Sequence, residues 1–204
     1  MDGQQYLLFH GFLGRECVFA LMAWDEMERS LKNHFRRGMT PAESIAETDA
    51  FWYSVDAFLM STGNISKVFW PSIRGEPRGE AERNRRRGEE LREILGIQED
   101  SPFKNRKLRN LFEHFDRELD RWLVQGDRKP IVIVEAIMPS FQIGITESML
   151  PAKTFRSFDC DAWILYCMGE TLSFREVFKA VQDLQKSLQS HFPPLEGKES
   201  SRPH

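Results

Sequence analysis

Apolar side chains recur at helical spacing along most of the first 125 residues, and this spacing ends at Gly126. Spacings of three, four and seven residues place an apolar stripe on each of four segments, at about 14–37, 45–59, 80–95 and 101–123. Four helices joined by short links commonly pack as a bundle. The pattern therefore predicts a four-helix bundle over residues 1–126.

Beyond Gly126 the sequence is typical of β-strands, followed by one more helix. "KPIVIVEAIM" is rich in β-branched residues, and "TFRSFDCDAWILYCMGE" contains two strand-like runs around an Asp-Cys-Asp turn. Ser173 and Glu176 have the spacing of a capping box at the start of a last helix. The predicted fold is mainly α, of the α+β type. The bundle is followed at 127–192 by a small antiparallel β-meander and a C-terminal helix packed on it, and at 193–204 by a disordered tail.

Turn-forming residues mark the ends of the first two helices. In "RRGMTPAE", Gly38 suits the end of a helix, Thr40 and Glu43 form a capping box, and Pro41 suits a first helical position. The stretch "STGNISKVFWPSIRGEPRGE", residues 61–80, contains three glycines and two prolines. It predicts an ordered loop that the apolar residues 68–70 anchor.

The composition indicates a soluble cytoplasmic protein. Cys17, Cys160 and Cys167 lie far apart and form no CxxC pair, which disfavours a disulfide framework or a cysteine-based zinc site. No basic segment precedes an apolar run, and no run approaches about 18 consecutive apolar residues, so we expect no membrane association. The sequence contains no HExxH motif, Walker loop or GxSxG motif, and we expect no metal and no other cofactor.

The formal net charge of −3 conceals a basic segment. Residues 74–109 contain 11 Lys and Arg against 8 Asp and Glu, and Arg83, Arg85, Arg86 and Arg87 are nearly consecutive. One interpretation is a solvated helix on which Arg and Glu form pairs one turn apart. The other is a surface that attracts phosphate groups and, together with Arg106, binds RNA.

The stretch "SPFKNRKLRNLFEHFDRELDRWL", residues 101–123, carries the candidate catalytic residues Arg109, Asn110 and His114. A helix turns by about 100° per residue, so His114 lies about 40° from Asn110 and about 140° from Arg109. Asn110 and His114 therefore share a face. This geometry favours a site that a second helix or a second subunit completes.

"LRNLFEHFD" resembles the signature of the HEPN superfamily, in which an Arg, usually a polar residue beside it, and a His a few residues later lie on a late helix of an all-α bundle. The resemblance covers roughly residues 10–125. It implies a metal-independent endoribonuclease, often a toxin or an antiviral defence protein, that forms a homodimer with both motifs in one cleft. The implied partners are RNA and an antitoxin or defence protein. The alternative is a non-catalytic HEPN-like module that binds RNA or a protein.

The chemistry of RNA cleavage gives each of these residues a role. Cleavage without a metal needs a base for the 2′-OH proton, an acid for the leaving 5′-oxygen and a cation for the phosphorane charge. His114 can serve as base or acid, Arg109 can bind the phosphate in a fork, and Asn110 can orient either group. In the alternative interpretation, Arg109 pairs with Glu113 one turn later and His114 is an ordinary exposed residue.

The sequence also departs from the family pattern. Members that pair with a nucleotidyltransferase antitoxin carry a Tyr two positions after the His, where this chain has Asp116. Arg29 and His34, in "RSLKNH", repeat the spacing of Arg109 and His114 on the first helix. We interpret this earlier copy as a solvated helix end.

Overall fold

The computed structural model describes residues 2–73, 75–105, 115–124, 131–140 and 153–191. This part of the chain is mainly helical and carries a small mixed sheet, which confirms the predicted mainly α class. The helices are α1 (Gly3–His34), α2 (Pro41–Phe69), α3 (Arg78–Leu95), α4 (Phe115–Val124) and α5 (Phe174–Ser190), and a short 3-10 helix spans Pro102–Lys104. The strands are β1 (Ile131–Met138), β2 (Lys153–Asp159), β3 (Ile164–Cys167) and β4 (Glu170–Ser173). The predicted tail at 193–204 lies outside the described residues.

α1 begins at Gly3, well before the predicted start near residue 14. Asp2 caps its first turn, since the Asp2 carboxylate accepts a hydrogen bond from the backbone N–H of Gln5 at 2.8 Å. The predicted stripe is buried at Cys17, Trp24 and Leu31, and it packs mainly against α2 and α5. The helix is thus a central element of the core.

By length and composition alone, α1 could also cross a membrane. An 18-residue window in it has a mean hydropathy of 1.3, and 33% of that window is buried inside the protein. Core helices of soluble proteins and N-terminal signal sequences have the same properties. In α1 the buried carboxylate of Glu16 accepts a hydrogen bond from Asn64 Nδ2 at 3.3 Å, which joins α1 to α2. The structure is compatible with a soluble protein.

α2 begins as predicted but continues through part of the predicted loop. Thr40 and Glu43 form the expected capping box, with Pro41 in the first turn. The prediction of a loop from residue 61 was wrong, because α2 continues to Phe69. Burial of apolar side chains in this segment, Ile65 among them, outweighs the weak helix propensity of its Ser, Thr, Asn and Gly residues.

α3 carries the basic run, which consists of Arg83, Arg85, Arg86 and Arg87, and it contacts the end of α2 closely. It spans Arg78–Leu95, near the predicted bounds, and ends at Gly96, whose φ of 68° is the left-handed conformation of a helix cap. Leu91 and Leu95, which belong to the apolar stripe of this segment, are buried. Gly88 faces the backbone of Phe69, where a larger side chain would collide.

The sheet is mixed, so the prediction of an antiparallel meander was wrong for its first strand. β2, β3 and β4 pair in antiparallel order, but β1 pairs with β2 in parallel. Parallel neighbours need a crossover of a dozen or more residues, and the connection at 139–152 is long enough for one. The length of this connection, rather than the character of the strands, indicates the orientation.

The Asp-Cys-Asp turn between β2 and β3 was correctly predicted. The buried carboxylate of Asp159 accepts hydrogen bonds from the backbone N–H groups of Asp161 and Ala162, at 3.0 and 2.9 Å. It also accepts a bond from the hydroxyl of Ser140, just beyond β1. One side chain therefore shapes the turn and joins it to the neighbouring strand.

The sheet and α5 share a core with α1 and α2. The ring of Trp24 on α1 stacks on Trp163, at 4.1 Å between ring centres, and on Phe178 of α5, at 3.9 Å. Phe58 of α2 stacks on Phe174, the first residue of α5, at 4.9 Å. Ser173 caps α5, as its spacing to Glu176 predicted.

The predicted fourth helix is described only at its two ends. Before the motif lies the 3-10 helix, where Ser101 caps the first turn and Phe103 is buried. After the motif lies α4, on which Trp122 contacts the ring of Phe155 at 6.5 Å between centres. The segment 106–114 lies outside the described residues.

Candidate functional site

The predicted catalytic residues Arg109, Asn110 and His114 lie outside the described residues, as does Arg106. The chain on either side of them is described. Phe103, three residues before Arg106, packs its ring 6.5 Å from that of Phe69 on α2. On the other side, the side chain of Asp116 is exposed on α4.

The exposed arginines of the basic run pair with glutamates of their own helix. Arg83 pairs with Glu80 at 3.9 Å, Arg86 with Glu90 at 3.0 Å, and Arg85 with Glu82. This is the arrangement expected of a solvated helix. Exposed pairs of this kind contribute only about 0.2–1 kcal/mol each, so a phosphate can displace them at small cost.

Arg87 differs from the other arginines of the run because it packs between helices. Its guanidinium carbon lies 4.7 Å from the ring centre of Phe9 on α1, and its Nε is buried without a hydrogen-bond partner. Burial lowers the pKa of Arg87 below its usual value. These contacts make Arg87 a packing residue, whereas Arg83, Arg85 and Arg86 are exposed and pair only with glutamates of their own helix.

The earlier copy of the motif lies at the contact between α1 and α2. Arg29 donates to the carboxylate of Glu26 and, at 3.3 Å, to Glu47 of α2. A side-chain hydrogen bond from Arg29 lowers the pKa of Glu26. His34 Nδ1 lies 3.3 Å from the hydroxyl oxygen of Thr48. Arg29 is thus held by two carboxylates, as expected of a structural helix contact.

A cavity of about 410 Å³ opens beside the 3-10 helix that precedes the motif. Residues of α2 form most of its wall, and Leu172 on β4 and Val177 on α5 also line it. The residues that line it are Asp56, Leu59, Met60, Thr62, Gly63, Asn64, Ser66, Lys67, Pro102, Phe103, Asn105, Leu172 and Val177. Asn105 is the last described residue before segment 106–114.

Ser66 stands out among the hydroxyl groups on α2. Thr48, Ser54 and Thr62 each donate to the carbonyl oxygen four residues earlier, at 2.8 to 2.9 Å. The hydroxyl of Ser66 is buried at the cavity wall and has no hydrogen-bond partner. A buried hydroxyl without a partner is costly, so this group is suited to bind a polar atom of a ligand.

Charged groups lie at the edge of the cavity. Lys67 is exposed on α2 beside Ser66, and the carboxylate of Asp56 accepts a hydrogen bond from Arg156 at 3.0 Å. Burial raises the pKa of Asp56 above its ordinary value, and Arg156 acts in the opposite direction. The guanidinium of Arg156 also lies 4.2 Å from the ring centre of Trp52 and pairs with Glu135 at 2.7 Å.

The cavity is a feature that the sequence did not reveal. Its polar residues Thr62 and Ser66 belong to the stretch interpreted as a loop, so their common helical face was not recognised. A helical reading of "LMSTGNISK", residues 59–67, places residues 59, 62, 63 and 66 on one side at spacings of three and four. Among the described residues, no three His, Cys, Asp or Glu side chains form a group that could hold a metal ion.

Comparison of the chain with models of protein families, with curated proteins and with solved structures gave no match.

Proposed function

We propose that the protein is a metal-independent endoribonuclease of the HEPN type, whose active site combines Arg109, Asn110 and His114 from two copies of the chain. The motif "LRNLFEHFD" carries this proposal. The described part of residues 1–126 supports it, because this part is mainly helical and includes α4 (Phe115–Val124) after the motif. We extend the proposal to a role as a toxin or defence effector that acts with a partner protein.

In the proposed reaction, the 2′-OH of the RNA attacks the neighbouring phosphorus and the 5′-oxygen of the next nucleotide leaves. His114 of one copy takes the 2′-OH proton and His114 of the other gives a proton to the leaving oxygen. Arg109 binds the phosphate with two parallel hydrogen bonds and stabilises the charge that develops on it. The products are a 2′,3′-cyclic phosphate and a 5′-OH.

The test is cleavage of structured and unstructured RNAs by the purified full chain in the presence of EDTA. We expect His114→Ala to abolish cleavage, and Arg109→Lys to do so too, because a lysine cannot reproduce the planar fork. His34→Ala serves as the matched control and should cleave normally, since His34 contacts Thr48 in the α1–α2 contact. Activity that is lost in His34→Ala but retained in His114→Ala would contradict the proposal and assign the site to Arg29 and His34, the earlier copy of the motif.

The basic run provides a second test of the same proposal. Replacement of Arg83, Arg85 and Arg86 by Gln should weaken RNA binding and reduce its dependence on salt, with no loss of folding because all three are exposed. Arg87 is excluded from this variant, since it packs on Phe9. Unchanged RNA affinity would assign the run to the solvated surface of α3.

The exposed apolar side chains of α1 favour a second function, that of a non-catalytic HEPN-like module. Leu8, Phe12, Phe19 and Met22 all lie on α1 and are 42% to 75% exposed. Apolar surfaces of this kind are typical of protein contacts. A chain that forms a stable assembly in analytical ultracentrifugation but cleaves no RNA would favour this function, whereas a strictly monomeric chain would count against the composite active site.

A further inference from the structure

We propose that the cavity beside α2 binds one nucleotide of single-stranded RNA, with the base inside the cavity and the phosphate at Lys67. This inference rests on the proposed function for its RNA substrate. It adds a binding site that is separate in sequence from Arg109, Asn110 and His114.

The size and walls of the cavity suit a base and its sugar. A volume of about 410 Å³ lies within the range of about 300–1,000 Å³ that is usual for small-molecule sites. Apolar side chains form much of the wall, including Leu59, Leu172 and Val177. Unstacked bases of RNA are bound by apolar or aromatic surfaces together with hydrogen bonds to their edges.

The polar groups of the cavity provide the hydrogen bonds that a base requires. The buried hydroxyl of Ser66 has no partner in the protein and can donate to a ring nitrogen or a carbonyl oxygen of a base. Asn64 and Asn105 also line this space. The amide nitrogen of Asn64 already donates to Glu16, and an amide oxygen can accept a further hydrogen bond. An apolar ligand would leave the hydroxyl of Ser66 without a partner, which favours a base over a lipid chain.

The charged groups at the cavity indicate the orientation of the bound nucleotide. The exposed ammonium of Lys67 stands one residue from Ser66 and can bind a phosphate as a point charge. The carboxylate of Asp56 is on the same face of α2 and is bonded to Arg156. The phosphate therefore belongs at the Lys67 end of the cavity. Asn105 also lines the cavity and is followed in the sequence by the segment that contains Arg109.

The experiment measures binding of the four nucleoside monophosphates by isothermal titration calorimetry, with ribose 5-phosphate as the ligand that lacks a base. These ligands contain no scissile bond, so their binding does not depend on catalysis. The variants are Ser66→Ala and Lys67→Ala. The matched control is Ser54→Ala, because Ser54 is equally buried on α2 but donates to Ala50 and does not line the cavity.

We expect saturable binding of at least one monophosphate and weak or no binding of ribose 5-phosphate. Ser66→Ala should weaken the affinity about 3- to 10-fold, the effect of one hydrogen bond, while Ser54→Ala leaves it unchanged. Lys67→Ala should weaken the binding of the monophosphate. It should not change the binding of the corresponding nucleoside, measured in the same way, because the nucleoside carries no phosphate. Ribose 5-phosphate that binds as tightly as the monophosphates would contradict the proposed site. Equal affinities for a monophosphate in the wild type and in both variants would contradict it too.

Failure of this inference can be distinguished from failure of the proposed function. RNA cleavage in EDTA by a protein that binds no monophosphate would overturn the nucleotide site and leave the endoribonuclease intact. Monophosphate binding that depends on Ser66 and Lys67, in a protein that cleaves no RNA, would support the site and overturn the catalytic proposal.

Discussion

Gly88 fixes the distance between α3, which carries the basic run, and the end of α2. A Cβ atom at this position would lie 2.5 Å from the carbonyl oxygen of Phe69 and 3.0 Å from Cδ of Pro71. Neither atom belongs to a flexible side chain that could rotate away. The Phe69 carbonyl also accepts a hydrogen bond from Arg92 on α3. Gly88→Ala therefore forces α3 away from α2 and disturbs this bond.

The size of the effect follows from two opposing contributions. Overpacking in a closely packed contact costs about 1–3 kcal/mol. The better helix propensity of alanine offsets about 0.5–1 kcal/mol of this cost. Because an approach of 2.5 Å is a severe overlap, the cost of overpacking lies in the upper half of this range, at about 2–3 kcal/mol. We expect Gly88→Ala to lower the free energy of unfolding by about 1–2.5 kcal/mol, which corresponds to a decrease in Tm of roughly 2–10 °C for a chain of this length.

Gly11→Ala is the matched control, because Gly11 lies inside α1 and a Cβ there would have no heavy atom within 4 Å. Only the contribution of helix propensity remains, so Gly11→Ala should raise the free energy of unfolding by about 0.5–1 kcal/mol. Thermal and urea unfolding, followed by circular dichroism, measure both variants. If Gly88→Ala is as stable as the wild type while Gly11→Ala gains stability, the close approach of α3 to Phe69 is incorrect.

Three other variants or reactions test separate parts of the structure. Trp24→Ala should lower Tm by roughly 6–20 °C in differential scanning calorimetry, because loss of a buried aromatic side chain costs about 3–5 kcal/mol. In the native protein a thiol reagent should modify Cys160 before the other cysteines. Cys17 and Cys167 are buried, and burial raises the pKa of each to about 12, so little of the reactive thiolate forms. Peptide mass spectrometry identifies the modified cysteine. Asp56→Asn should stabilise the protein at neutral pH in urea unfolding. Burial raises the folded-state pKa of Asp56, so ionisation costs stability as the pH rises above the unfolded value of 3.8, and the gain should vanish below it.

Local signals predicted the parts of the fold that local interactions determine. The capping box of Thr40 and Glu43 and the cap at Ser173 were both predicted from a few neighbouring residues. The turn at Asp159 was predicted in the same way, because its carboxylate bonds to N–H groups two and three residues later. Interactions that close within one turn of chain can be read from the sequence alone.

Predictions failed where distant contacts decide the structure. Residues 61–69 contain Gly, Ser, Thr and Asn, yet Ile65 and Phe69 become fully buried, and this burial keeps the segment helical. The parallel pairing of β1 with β2 likewise depends on the path of the connection between them rather than on either strand. The cavity was missed for the first of these reasons, since its wall is the helical face of that segment.

The two Arg and His pairs of this chain show why spacing alone does not identify a catalytic site. At the earlier pair, the two carboxylates that bind Arg29 come from Glu26, three residues before it, and from Glu47 on the next helix. The first partner can be read from the sequence, while the second requires the fold. An arginine held in this way must give up ion pairs before it can bind a phosphate.

The later pair has different neighbours in the sequence. Three residues before Arg109 stands Arg106 rather than an acid, and the nearest acid at helical spacing is Glu113. A second cation raises the local positive charge, and a single exposed pair with Glu113 would contribute only about 0.3–0.5 kcal/mol. From these sequence neighbours we expect a phosphate to reach Arg109 at lower cost than Arg29. This difference in cost, rather than the shared spacing, is the reason to expect that loss of the imidazole at His114 ends RNA cleavage while loss of the imidazole at His34 does not.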